Sequence, residues 1–139
     1  MAALTAPRNT LRQGQARDRI TVALKANAKV FKGGLVCVDA TGYGVAGASA
    51  ASLIPMGIAQ ATVDNTGGAS GAVSVDVELG VFKLDNAGSN TVTQASVGGA
   101  AIYMNDDHTV STLSTAQSVA GKCVRLDADG SVWVYVGIY

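Results

Sequence analysis

Aromatic side chains are scarce in this chain, with two Phe, four Tyr and one Trp among 139 residues. A core without large rings has to be assembled mainly from Val, Ala, Leu and Ile, which fill thin spaces. The expectation is a set of small sheets whose second faces are completed by other subunits. Glutamate occurs once, at Glu78, and strong helix formers other than Ala are few, which argues against a solvated helical protein. A single histidine, His108, leaves no partner for a His-based metal site and no motif for a Ser-His-Asp or Cys-His nucleophile. The two cysteines, Cys37 and Cys123, lie in strand-like apolar runs and read as buried free thiols, with a disulfide as the second reading. No run reaches the length of a membrane span: Ala46–Ala61 is weakly apolar and is interrupted by Pro55 and Gln60. Met1–Gly14 lacks the apolar segment of a secretion signal, so a soluble chain, intracellular at synthesis, is expected.

What is present points to strands. Hydrophobic residues make up 48% and charged residues 14%, a balance that excludes disorder for most of the chain. There are 18 Val, 11 Thr and 17 Gly. β-Branched side chains fit a pleated surface, and glycine serves the turns between strands. The fold class is all-β, as one domain over residues 20–139 preceded by an extended basic arm over 1–19.

Charge is unevenly placed. Residues 1–32 hold seven basic residues against Asp18 alone, a net +6, whereas residues 33–139 carry −6. An arm of one sign beside a body of the other favours docking on a neighbouring copy or an acidic partner. Arg8, Arg12, Arg17 and Arg19 are the arm's candidate contacts. Stretched, the arm would reach about 60 Å. Nucleic acid is disfavoured as the partner, because no aromatic residue precedes Phe31 to stack on bases and the body is acidic.

Periodicity places the strands. Ile20–Lys25 alternates, and Leu35–Asp39 is a continuous apolar run of the kind covered on both faces. Ala48–Leu53 has the length of one helical turn before Pro55, and Met56–Thr62 resumes as strand. From Val73 to Val81 the odd positions are apolar, while Ser74, Asp76 and Glu78 face the other way. The phase inverts at Phe82 and Leu84, which predicts a β-bulge at Gly80. Asp85–Asn90 reads as a loop and Thr93–Val97 as a helical turn ended by Gly98-Gly99. Ala101–Met104 and Thr109–Leu113 are short strands around Asn105-Asp106-Asp107. Ala120–Asp127 and Ser131–Tyr139 form a hairpin around Asp127-Ala128-Asp129-Gly130. Its last strand sets Val132, Val134, Val136 and Ile138 on one face and Trp133, Tyr135 and Tyr139 on the other. The aromatic face is the candidate subunit interface, since Tyr and Trp are enriched in such surfaces.

The motifs that suggest chemistry each lack a part that the chemistry needs. Gly42-Tyr43-Gly44-Val45-Ala46-Gly47 spells a dinucleotide fingerprint, with Asp64 where a ribose-binding acid would lie. The pyrophosphate would need a helix N-terminus, but Pro55 leaves room for barely two turns and no crossover helix or parallel-sheet pattern follows. Asp106-Asp107-His108 lacks further ligands and reads as a polar turn. Asp76 and Glu78 are neighbouring acids on a solvated strand face, and Gly67–Gly71 lacks the Lys-Ser/Thr ending of a phosphate loop. The expectation is a non-enzyme with no catalytic, metal or cofactor site.

Three stretches carry a resemblance: Lys32–Tyr43, then Val63–Gly68 together with Val75–Asp85, and Val92–Met104. They resemble the small β-rich capsid decoration (cement) proteins of tailed bacteriophages, over roughly residues 25–113. The resemblance implies a β-barrel or β-sandwich protomer that trimerises on the outside of the head against the major capsid protein, with no catalytic residues. It implies a virion location, with host cytoplasm during assembly. The basic arm is not typical of that pattern, and it is its charge that makes Arg8, Arg12, Arg17 and Arg19 the candidate capsid contacts; the aromatic strand face makes Trp133, Tyr135 and Tyr139 the candidate trimer contacts. Two alternatives stand beside it. A trimeric nucleotide hydrolase of the dUTPase type would use Thr41-Gly42-Tyr43-Gly44, but the acid after the tyrosine and the glycine-rich arginine tail are missing. A phage tail or baseplate component shares the composition.

Overall fold

The two phases of apolar alternation that meet at Gly80 belong to two different sheets. The computed structural model describes residues 19–136. Strands β1 (Arg19–Ala23), β3 (Leu35–Val38), β4 (Gly44–Ala46), β5 (Ile54–Ala59) and β7 (Ser74–Glu78) form a five-stranded antiparallel sheet in the order β1-β7-β5-β3-β4. Strands β8 (Gly80–Asn86), β9 (Ala101–Met104), β10 (Thr109–Ser111), β11 (Val119–Leu126) and β12 (Val132–Val136) close a barrel in the order β10-β8-β12-β11-β9. A short ribbon pairs β2 (Lys29–Val30) with β6 (Val63–Asp64). The fold is all-β, and of the two architectures expected the barrel is the one formed.

No bulge sits at Gly80. β7 ends at Glu78, the chain passes Leu79, and β8 begins in the barrel. Gly80 has φ 152°, a conformation that side-chain-bearing residues rarely adopt. The inversion of apolar phase therefore marks a change of sheet: Val75 and Val77 are buried before it, Leu84 after it, and Val81 faces water.

Two cores result. One lies between the sheet and the β2–β6 ribbon and gathers Val22, Val30, Val36, Val75 and Val77. The other fills the barrel with Leu84, Ile102, Met104, Val110, Cys123, Val132, Val134 and Val136, and extends to Leu35, Cys37 and Ile58 of the sheet. β3 thus buries alternate residues on opposite sides, which is why its sequence is apolar throughout. Here the second face of a small sheet is covered by the chain's own barrel, where the shortage of aromatics had suggested another subunit. Each fully buried valine contributes on the order of 1.5–3 kcal/mol.

Pro55 does not stand before the strand but within it. β5 pairs with β7 only at Ile58 and Ala59, and its register against β3 shifts between Gly57 and Pro55. A residue without an N–H is tolerated at such an irregularity. The helical turn expected at Ala48–Leu53 is absent. Ser118, buried, takes up the segment's backbone groups instead: its hydroxyl donates to Ala50 O at 2.6 Å and accepts from Leu53 N–H at 2.9 Å. The turn expected at Thr93–Val97 is a 3-10 turn at Gln94–Ser96, followed by Gly98 and Gly99 at positive φ. Asp85 and Asn86 extend β8 into what reads as a loop.

Candidate functional site

The outer face of the barrel is built from side chains that alternation turns away from its core. On β12, Val132, Val134 and Val136 point inward and are buried, so Trp133 and Tyr135 point outward. Cross-strand pairing sets two rows: Lys122, Tyr135 and Val81, then Arg125, Trp133 and Lys83. Val124 falls where the β11 register shifts against β12, and it is exposed beside these rows. Val81, Val124 and Tyr135 are 45%, 40% and 46% exposed. Trp133 is partly buried under the Arg125 guanidinium, 5.0 Å from the ring centre. Its Nε1–H is buried with no hydrogen-bond partner among the described residues.

The charges of the second row are matched at the hairpin turn. Lys83 Nζ lies 2.9 Å from Asp127 Oδ2 and 2.8 Å from Asp129 Oδ2, and Arg125 is 3.6 Å from Asp127. The ammonium, with the Ser131 N–H and hydroxyl, holds the Asp129 carboxyl down to about 2. Asp127 is likewise lowered and Lys83 raised by their mutual hydrogen bonds.

Tyr139 and three of the four arm arginines, Arg8, Arg12 and Arg17, lie outside the described residues. Arg19 opens β1, with its guanidinium 3.8 Å from the carboxylate of its cross-strand partner Glu78. The second of the neighbouring acids, Asp76, accepts the Thr21 hydroxyl at 2.7 Å. Both acids are thus engaged by β1.

The glycine motif at 42–47 is a hairpin. Gly42 turns the chain at φ 82°, Gly44–Ala46 is β4, and Gly47 N–H donates to Leu35 O at 2.8 Å. A side chain at Gly44 would meet Val22 Cγ1 at 2.7 Å, so this glycine lets β4 approach β1. Lys25 and Thr41 hold the adjacent Asp39 carboxyl down to about 2. His108 Nδ1 lies 3.3 Å from Asp85 Oδ2 in an exposed turn. Among the described residues no group of three His, Cys, Asp or Glu is placed to hold a metal ion. Cys37 and Cys123 are buried and unpaired, and burial pushes the Cys37 thiol up to about 12. No helix among the described residues is long and apolar enough to cross a membrane.

Sequence reasoning missed a cleft of ≈ 620 Å³ at one end of the barrel. Four segments form it: Ser49, the loop 87–90, the β9–β10 hairpin with Asn105 and Ser111, and the following loop with Leu113 and Gln117. The wall at 87–91 is fixed by hydrogen bonds. Asn86 Nδ2 donates to Val92 O and Asn86 Oδ1 accepts from Val92 N–H, both at 2.9 Å, while Thr112 N–H and its hydroxyl both donate to Asn90 O. A smaller cleft of ≈ 500 Å³, which shares Ala87 and Gly88 of this loop, is flanked by Asp85 and Asp129. The Ser, Asn and Thr residues involved read in sequence as ordinary turn formers, and nothing local distinguishes them.

Protein-family models, curated proteins and solved structures give no match to this chain.

Proposed function

We propose that this chain is a structural decoration, or cement, protein of a phage capsid, which trimerises and binds the outer surface of the head across major capsid protein subunits. The observation that carries the proposal is the outer face of β8, β12 and β11, where Tyr135, Val81 and Val124 stand exposed around Trp133. These side chains add nothing to the barrel core, and a cluster of aromatic and apolar groups on a strand face is the composition of a subunit interface. The resemblance at 32–43, 63–68, 75–85 and 92–104 supports the same reading, as does the opposition between a +6 segment and a −6 remainder.

The mechanism is mechanical. Each protomer adds buried area across joints that internal pressure pulls apart, and three linked attachments turn weak contacts into firm binding. Arg8, Arg12, Arg17 and Arg19 are assigned to the capsid and Trp133, Tyr135 and Tyr139 to the trimer.

Sedimentation at micromolar concentration tests the assembly: a particle of three 14.0 kDa chains is expected, with a monomer after Tyr135→Lys. A wild-type monomer removes the trimer from the proposal. Cosedimentation with capsids lacking the protein tests the rest. Binding is expected for the full chain and at least about tenfold weaker affinity after removal of residues 1–18, which leaves β1 whole, since multivalent contact is then reduced. Failure of the full chain to bind any capsid surface ends the reading.

A further inference from the structure

We infer that the cleft between the loop 87–90 and the β9–β10 hairpin is a binding site for a neutral saccharide. Its volume, ≈ 620 Å³, falls in the range of small-molecule sites. No charged side chain lines it. An oxyanion would enter without a cation to meet it, and an amine without a carboxylate; both would give up hydration for nothing equivalent.

The polar groups that do line it come as donors and acceptors together. Ser111 is buried and its hydroxyl donates to Asn105 Oδ1 at 3.1 Å, which leaves the Asn105 NH2 group as a donor at the cleft wall. Gln117 is oriented the opposite way: its Nε2 donates to Ser49 Oγ at 2.7 Å. Its Oε1 is buried with no donor among the described residues, an unusual state for a buried carbonyl oxygen. A sugar hydroxyl both donates and accepts, so one ligand class suits a wall that presents the Asn105 NH2 group beside hydroxyl oxygens. Gln117 Oε1 is enclosed, so the acceptors offered to a ligand are the hydroxyls of Ser89 and Thr109 on the cleft lining. Leu113, 38% exposed, offers an apolar surface for the C–H face of a pyranose. The loop 87–91, tied by Asn86, Thr91 and Thr112, is set before the ligand arrives, which reduces the ordering cost of binding. Without an aromatic platform the affinity is modest, with Kd on the order of 1 mM.

The test is an amide NMR titration of the full chain with glucose, galactose, mannose, N-acetylglucosamine and maltose, alongside glucuronate, inorganic phosphate and triglycine. Saturating shifts confined to residues around 88–90, 105, 113 and 117, with at least one neutral sugar, are expected. Two variants on exposed positions, Ser89→Arg and Leu113→Glu, should each weaken that binding at least about tenfold with unchanged circular dichroism. The inference is overturned by any of three results: no saturating shift with any neutral sugar up to about 100 mM, shifts that persist in both folded variants, or tighter binding of phosphate or triglycine than of every sugar. If neither variant folds, the location and ligand preference of the wild-type shifts decide the matter.

Discussion

Arg125 and Trp133 face each other across the β11–β12 ladder, with the guanidinium carbon 5.0 Å from the indole centre. The pair shields one face of the only tryptophan and aligns a cation with the ring's negative quadrupole. Arg125→Ala is expected to cost about 0.5–1 kcal/mol, and Arg125→Lys to recover less than half of that, because a lysine cannot stack. Urea denaturation followed by circular dichroism measures both. If Arg125→Ala costs as much in a Trp133→Leu background, the two residues are not coupled.

Gly121 admits no side chain. A Cβ there would lie 2.2 Å from Tyr135 O and 2.7 Å from Val134 Cγ1, and the first of these is backbone that cannot swing aside. Gly121→Ala should therefore destabilise the barrel by about 3 kcal/mol or more. Gly88→Ala has open space around it, and its effect should stay within about 0.5 kcal/mol. Thermal unfolding of the two variants side by side checks the contrast; equal midpoints would contradict the packing described.

Acid should loosen the β11–β12 turn through Asp129. Its carboxyl falls from the ordinary 3.8 to about 2, chiefly through the hydrogen bond from Lys83. A depressed carboxyl contributes stability that is present above its ordinary value and lost as pH falls through the folded one. The window is therefore about pH 4 down to about pH 2. Both partners are solvent-accessible, so the contribution is small and shrinks with salt. Carboxyl-carbon NMR titration at low ionic strength should show the depressed value in wild type and a return toward 3.8 in Lys83→Met. An unchanged titration would show that Lys83 is not its cause.

Both thiols should be silent in the native protein. Cys37 is fully buried, with Sγ 3.4 Å from Met104 Sδ, and its thiol is raised to about 12 by desolvation. The nucleophile is the thiolate, so alkylation by iodoacetamide at neutral pH should await unfolding. Mass spectrometry is expected to find no modification of the native chain and two after denaturation. Rapid labelling of either cysteine under native conditions would disprove the burial.

Local order was legible where one period ran without interruption. Alternation alone puts Val75 and Val77 in a core and Ser74 and Asp76 in water, and they lie so. The unbroken apolar run at 35–38 foretold a strand covered on both sides. The two-residue strands β2 and β6 were not legible, since two residues carry no period. β4 was hidden inside a glycine motif, and Pro55 concealed the start of β5. Trp133 and Tyr135 could be assigned to one face by counting, whereas the stacking of Arg125 depends on a register shift at Val124 that no count reveals.

By itself the sequence determined the all-β class, most strands and turns, and which side of β7 and β8 is apolar, because pleating and turn chemistry act between residues a few positions apart. Tertiary structure alone decided that Gly80 separates two sheets, that β8 and β10 run parallel to close the barrel, and that Ser49, Asn90, Asn105 and Gln117 share one cleft. Those features depend on which distant strands pair and in what register. That choice is made by the packing of the whole core and leaves no trace in any single stretch of residues.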